Sequence, residues 1–497
     1  MTRPTRLAIL IGVLAVAVRL IGFNQPYTGE WSWRQSDDAA IARNYFVGGF
    51  HFARPQIDWA GDQPGYVGTE FPILPFVAAL CYKLFGVHEW IGRVQAVVLF
   101  AISLPFFYLI VRKIFGEIAA TWALFFYGFA PLGMMTGRCF MPDVPSLALS
   151  IIGLYFFQCW IETGSDAQAR SKSFVLAAIA ISLSILIKLP TVLIGAPLLC
   201  LAFQRFRTPP LRLGAAFQRF DLWLFAAITL LPATLWYWYG YQISLKFYPY
   251  HFFGAGGVRI VSASDYLRIA RWICTSTLTP VLFLLCVIGA FIARWNARGR
   301  FFHWWLGAMI LFFVIVGYGN RHQWYQLPLI PIAAAFGGAA CAFVAEKFSN
   351  RATKMAISAL FVVAFGFSAV AYARDFYKPA GTSLRAAGLA LKQLTPSNSL
   401  IAAADNGDPT VLYYAERKGW HVLEKDGIYY GEPVDGASAI AELEQLRGKG
   451  ATYFVLTANT SWWLENYPDL RQYLEATATL ADASSEFRIY QFNPVSK

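Results

Sequence analysis

The chain has 497 residues, 57% of them hydrophobic and 17% aromatic, with only 14% charged. Soluble domains carry nearer a quarter of charged residues, so this composition excludes a protein solvated by water alone and calls for lipid around much of the surface. The net charge of +12 would suit a nucleic acid, but the basic residues fall mostly in short loops between apolar runs, where they serve as topology signals and lipid-headgroup contacts, so no nucleic-acid partner is expected.

Along the chain, the spacing of apolar runs predicts membrane-spanning helices at 7–23, 93–111, 118–135, 144–162, 173–188, 190–204, 221–240, 278–294, 303–319, 326–345 and 355–373. The first follows MTRPTR and lacks a small-x-small cleavage site, so it is expected to stay as an uncleaved span. Residues 71–86 are apolar but short and carry two prolines, which suits a re-entrant or interfacial helix. Charge supports that reading. With 71–86 left out, one side of the membrane collects Arg3 and Arg6; Arg112 and Lys113; Arg170 and Lys172; Arg205, Arg207, Arg212 and Arg219; Arg294, Arg298 and Arg300; and Lys347, Arg351 and Lys354. Basic loops face the cytoplasm. The expected fold is therefore a polytopic all-α bundle of about eleven transmembrane helices, N-terminus inside, with segments 24–92, 136–143, 241–277 and the tail outside.

From residue 374 the composition changes. LRAAGLALKQL and AIAELEQLRGKG read as helices; SLIAAA, TYFVLTA and FRIYQF read as strands. Two domains are expected: 1–373, transmembrane and catalytic, with the outer loop 24–92, and 374–497, a small α/β domain. ADNGDP, at 404–409, reads as an ordinary loop after a strand. Seven cysteines without a C-x-x-C, none of them in the tail, are expected to be packing residues. Six scattered histidines without HxxxH or HExxH argue against a histidine-built zinc site.

Four clusters stand out. In Glu30-Trp31-Ser32-Trp33-Arg34-Gln35-Ser36-Asp37-Asp38, Ser36 or Asp37 can cap a following Ala-rich helix, or the carboxylates can do chemistry. In Arg138-Cys139-Phe140-Met141-Pro142-Asp143-Val144-Pro145, an aspartate enters a membrane helix, which is costly without a partner or a task. Lys188 lies between two apolar runs, where it can snorkel or bind an anion. Asn320-Arg321-His322-Gln323-Trp324-Tyr325 offers an arginine suited to phosphate. Together they place carboxylates and cations on one side of the membrane beside a long loop. That suits transfer of a group from a lipid phosphate: cations hold the phosphate as its charge develops, and a carboxylate takes the proton of the attacking acceptor. The absence of a P-loop or GxGxxG fits a reaction that needs no nucleotide.

These residues resemble a family. The run from Trp33 through Arg34-Gln35-Ser36-Asp37 to Ile41-Ala42-Arg43-Asn44, then Glu70-Phe71-Pro72 with Pro75-Phe76, then Phe85-Gly86-Val87 with Glu89-Trp90 and Gly92-Arg93, then Arg138 with Met141-Pro142-Asp143, is similar to bacterial GT-C membrane glycosyltransferases. The nearest branch is that of the protein O-mannosyltransferases and lipid A aminoarabinose transferases. The resemblance is specific over 30–145 and looser over the rest of the first 370 residues. It implies an inner-membrane enzyme moving a sugar, usually with inversion, from a polyprenyl-phosphate donor to a glycan, lipid or protein acceptor on the outer face. It implies Asp37 as catalytic base, with Asp38 as the rival, and Asp143 as the second loop acid. It implies Lys188 and Arg321 at the carrier phosphate, with Arg138 and His322 as further candidates, and Glu70, Arg34 and Tyr325 near the acceptor. The family's Glu-Lys-Pro is Glu-Phe-Pro here, so that lysine has to be replaced by another cation. Some GT-C enzymes hold a divalent metal between the two loop acids and others do not; Asp37 and Asp143 could ligate one, and no cofactor is expected to be required. The competing readings are a flippase of lipid-linked sugars, which calls for mid-span charges and an inverted repeat, and a non-catalytic assembly protein.

Overall fold

The structure is a computed structural model that describes residues 3–163, 166–205, 218–252, 257–293 and 299–494. Arg207, Arg212, Arg294 and Arg298, used above for topology, lie outside the described residues. The chain forms two compact units, one of Met1–Phe23, Arg93–Trp236 and Gly254–Phe376, the other of Asn24–Gly92, Tyr237–Phe253 and Tyr377–Lys497.

A helix stands at each segment predicted to span. Among the described residues six helices are long and apolar enough to cross a membrane alone, and seven if the pair Ala263–Thr277 and Pro280–Ala293, bent by 101°, counts as one. The six include Glu89–Phe115, Asp143–Glu162, Ala167–Ile187 and Leu329–Lys347. Others are shorter because the chain breaks. The predicted span 118–135 divides into Glu117–Phe129 and Pro131–Thr136, with Ala130 extended between them. Proline disfavours helical backbone in the residue before it and starts a new helix well, which accounts for both halves of that break. Around the break sits Arg19, at the end of the first helix, Arg3–Arg19, which takes the Gly128 carbonyl left free at the end of the first half. Its guanidinium is fully buried, donates to Ala15 O (2.7 Å), Gly128 O (2.9 Å) and Gly133 O (2.9 Å), and lies over the Phe100 ring. A buried cation is tolerable when its terminal amino groups meet carbonyl oxygens and an aromatic face in this way.

The second unit contains the five-stranded sheet. With strands numbered in chain order, β1 is Leu400–Ala404, β2 Lys418–His421, β3 Glu424–Lys425, β4 Ile428–Tyr429, β5 Ala451–Thr457, β6 Ala478–Ala483 and β7 Phe487–Phe492. The sheet order is β2-β1-β5-β7-β6, with β1 parallel to both neighbours and β7 antiparallel to β5 and β6; β3 and β4 form a separate hairpin. β1 is apolar throughout and buried on both faces, as central parallel strands are. One face packs Ala402, Phe454 and Leu456 against Leu443, Leu446 and Leu470. The other packs Ile401, Ala403 and Val455 against Leu384 and Leu391, and also against Ile41, Tyr45 and Trp59 of the first outer loop. The 24–92 loop is thus built into the core of the sheet. The segment 71–86 holds a 13-residue helix, Ile73–Phe85, in this same unit.

Candidate active site

The helix carrying Asp37 and Asp38 runs from Ser32 to Gly48 and begins one turn earlier than a cap at Ser36 or Asp37 requires. Its N-cap is Trp31, with no side-chain capping bond. The Ser32 hydroxyl instead donates to Asp408 Oδ2 at 2.6 Å, and Ser36 shares a 2.9 Å hydrogen bond with Thr410. Contacts from the C-terminal segment, rather than a local cap, fix where this helix starts. The capping explanation for Asp37 is therefore wrong: the residue sits in the second turn, where a carboxylate earns nothing from free amides.

Asp37 is 3% exposed. Its Oδ1 accepts from the indole Nε1 of Trp59 at 2.9 Å. Burial pushes the carboxyl up to about 6 against the pull of that hydrogen bond and of Arg34 and His421; Asp408 adds to the rise. Arg34, one turn back on the same helix, gives its guanidinium to Glu70 at 2.9 Å, so two expected acceptor-side residues are an ion pair. Asp38 is also buried, about 100° further round the helix. Beyond Trp59 lies a second group. The Trp59 ring centroid is 5.3 Å from that of His421 and 6.3 Å from that of His251. His421 Nδ1 donates to Asp405 at 2.8 and 3.0 Å. Burial raises both Asp405 and Asp408 above the ordinary carboxylate range. For His421 burial opposes the charge, but the carboxylates of Asp405, Asp37 and Asp408 prevail and lift it. His251 is pushed down to about 4 by burial, with Glu70 raising it and Arg34 lowering it.

Trp59, His421, Asp405 and Asp408 escaped sequence reasoning. The ADNGDP stretch was visible but reads as a plain turn. The available signal was topological: Asp405 and His421 stand at the carboxyl ends of two parallel strands, the edge at which open α/β sheets bind ligands.

The first unit holds the remaining candidates. Asp143 is in the first turn of its helix, with Pro142 at the N-cap and no capping bond. Its Oδ1 lies 3.5 Å from Lys188 Nζ, and both side chains are buried. The pairing follows from helix packing. Ser146 and Ser184 exchange hydroxyl-to-carbonyl bonds of 2.8 Å, Ser150 reaches Ser184 at 2.7 Å, and Gly153 leaves no room for a side chain against Ile181. Small and hydroxyl residues let membrane helices approach closely. Lys188 also lies 5.0 Å from the Tyr325 ring centroid. That loop is placed by Gln323, which donates to Ser276 at 2.6 Å, and by Thr277, which donates to Gln326 at 2.6 Å. The structure therefore joins Asp143, Lys188 and Tyr325. Arg321 is exposed and stacks its guanidinium 3.6 Å from the centre of the Tyr318 ring; His322 stacks on Trp324 at 4.6 Å. Arg138 is buried and donates to the Ile21 carbonyl at the end of the first helix. Among the described residues, no three His, Cys, Asp or Glu side chains converge as a metal site.

This architecture has known counterparts. The chain is similar to ArnT from Cupriavidus metallidurans, with a TM-score of 0.67 to the apo structure at 17% identity and 0.65 to the undecaprenyl phosphate-bound structure at 16%, covering 98% of both chains in each case. The chain has the GT-C fold. The GT-C match extends to the Archaeoglobus fulgidus oligosaccharyltransferase AglB in complex with an inhibitory peptide and a dolichol-phosphate, at TM-score 0.64 and 13% identity over 98% of this chain and 74% of that one. Residues 62–238 match the family described as dolichyl-phosphate-mannose-protein mannosyltransferase. A comparison with curated protein sequences finds no match. The helical bundle and the small strand-containing C-terminal region expected from the sequence are both present.

Proposed function

We propose that this protein is a bacterial plasma-membrane glycosyltransferase that moves a sugar from a polyprenyl-phosphate donor to an acceptor hydroxyl or amine on the outer face, with the N-terminus cytoplasmic and the C-terminal domain outside. The lipid phosphates named for ArnT and AglB, and the dolichyl-phosphate-mannose family match, support the class of donor. In the proposed step the acceptor heteroatom attacks the anomeric carbon as the carbon–oxygen bond to phosphate breaks. The bonding pair leaves with the polyprenyl phosphate, and the acceptor proton passes to Asp37. Lys188 and Arg321 neutralise the departing phosphate, with Arg138 and His322 as further contacts to it. Asp143 holds Lys188 in place, and Glu70, Arg34 and Tyr325 orient the acceptor. No step is assigned to a metal.

One observation carries the reading: Asp37 is buried against a neutral indole donor, with its carboxyl pushed up to about 6. A base poised near neutrality both ionises at working pH and accepts a proton readily, and such perturbed carboxyls mark functional sites. The mid-span charges and inverted repeat that a flippase calls for play no part in this arrangement.

The test is donor consumption in membranes supplied with radiolabelled sugar. Asp37→Asn is expected to stop loss of label from the polyprenyl-phosphate pool while the protein accumulates normally, and Asp38→Asn to retain turnover. Wild-type turnover by a well-folded Asp37→Asn protein would overturn the assignment.

A further inference from the structure

The C-terminal domain does more than cover the loop beneath it. We infer that His421, held by Asp405, is a positioning residue for Asp37, acting through the indole of Trp59. This rests on the reading of Asp37 as the base.

The geometry is a continuous chain within one unit. β2 pairs with β1 so that His421 lies opposite Ala403, and Asp405 follows two residues later at the end of the neighbouring strand. The Asp405 carboxylate also accepts from the Gly407 amide at 3.0 Å, which fixes it as a platform. Both of its oxygens receive His421 Nδ1, so the imidazole has one orientation. The ring then meets the Trp59 indole at 5.3 Å and 40°, and the far edge of that indole supplies the N–H that Asp37 accepts.

The backbone ties the same pieces together. Gly61 N donates to Gly419 O at 2.7 Å, and Gly419 N donates to Asp58 O at 3.0 Å. The segment bearing Trp59 is thereby stitched to β2 two residues before His421. Two glycines make the approach possible. Gly61 has φ +59°, and a Cβ there would fall 1.9 Å from the Trp420 ring; a Cβ at Gly419 would fall 2.0 Å from Ile401 O. The Asp58 side chain is held in turn by Arg43 and by Asn44 at 2.9 Å.

The electrostatics act in the same direction. Facing Asp37 are Arg34 from its own helix, Asp408 from the loop after β1 and His421 from β2. Facing His421 are Asp405, Asp37 and Asp408. On the other side of Trp59, His251 is neutral at working pH. The carboxylates of Asp405, Asp37 and Asp408 together outweigh burial and favour the charged imidazole. A cation against an aromatic face draws on its electrons and makes the N–H at the ring edge a stronger donor. His421 therefore favours the ionised form of Asp37 directly and through the indole, and holds the hydrogen bond that aims it.

The experiment uses the full-length protein in membranes, with donor consumption measured from pH 5 to 9. His421→Gln retains a donor for Asp405, and Asp405→Asn tests the same link from the other end. Wild type should lose rate as pH falls through about 6. Both variants should move that acid limb upward, by roughly one pH unit for His421→Gln, which costs about fivefold in rate at the old midpoint and approaches about tenfold below it. Their KM for donor should be unchanged, and the rate at pH 9 should return to within about twofold of wild type. Trp59→Phe should shift the limb in the same direction. A limb left in place, or a loss of rate equal at every pH, overturns the inference; the second outcome marks His421 as merely structural. If Asp37→Asn still consumes donor, the base reading itself has failed. If Asp37→Asn is inactive while the His421 and Asp405 variants leave the limb unmoved, only the positioning role has failed.

Discussion

Asp37 and Asp143 are both buried aspartates on helices, and the protein treats their charges in opposite ways. Asp143 has a lysine 3.5 Å away, placed there by a serine-lined contact between two membrane helices. Asp37 has an indole N–H, with Arg34 and His421 favouring its charge while burial and Asp408 oppose it. The first arrangement cancels charge among buried side chains, where an unpaired ion is expensive. The second leaves a carboxyl short of compensation, which is a poor way to stabilise a fold and a good way to keep a proton acceptor ready. A paired acid and an under-solvated acid are thus separable by stability as well as by activity.

The largest expected effect is that of Asp37→Asn. Loss of a general base should lower donor turnover by about 10²- to 10⁴-fold. The same substitution should raise the melting temperature in detergent. A folded-state value of about 6 against 3.8 means the unfolded chain ionises first as pH rises, so the charge destabilises the fold between those values and above. The penalty is about 3 kcal/mol at pH 8, about 0.5 kcal/mol at pH 4 and gone by about pH 3. Melts at pH 8 and pH 4 should therefore show a clear gain for Asp37→Asn at the first and little at the second.

Asp143 and Lys188 should behave the other way. Removing either partner strands a buried charge and costs about 3–5 kcal/mol, whereas replacing both by apolar residues should be close to neutral for folding. Melting temperature and membrane accumulation of Asp143→Leu, Lys188→Met and the double variant test this. A single variant as stable as the double would remove the contrast. A smaller effect is expected for Ser184→Ala, about 1 kcal/mol for the lost interhelical hydrogen bonds, read from the same melts. Smallest is the exposed pair Lys392–Glu416, at 2.6 Å with both side chains nearly half accessible, where Lys392→Ala should change stability by well under 1 kcal/mol.

Much of this was legible in the residues. Apolar runs marked the helices of the bundle, because lipid demands long apolar stretches with their backbone bonds satisfied within the helix, although six or seven rather than eleven are long and apolar enough to cross alone among the described residues. The strands around IAAA and YFVLT were readable for the same reason, since they are buried on both faces. Asp37, Asp143 and Lys188 stood out as charges in apolar surroundings. What the sequence concealed was long-range placement. Ser32 and Asp408 are 376 residues apart, yet their hydrogen bond helps decide where a helix begins and so whether Asp37 is a cap. His421 carries no local mark of its role; it matters because parallel strands set it beside Asp405 and against a tryptophan from the first loop.

Arg19 has a consequence for how the chain is made. Its acceptors at Gly128 and Gly133 are 109 and 114 residues downstream. During synthesis the first helix emerges long before either exists. A bare guanidinium cannot be released into lipid at that stage, so the helix must wait against water or the insertion machinery until the broken helix around Ala130 arrives. The helix is thus made well before the acceptors that seat it, and Arg19→Leu should let it leave for the bilayer early, before the bundle that it belongs to has formed.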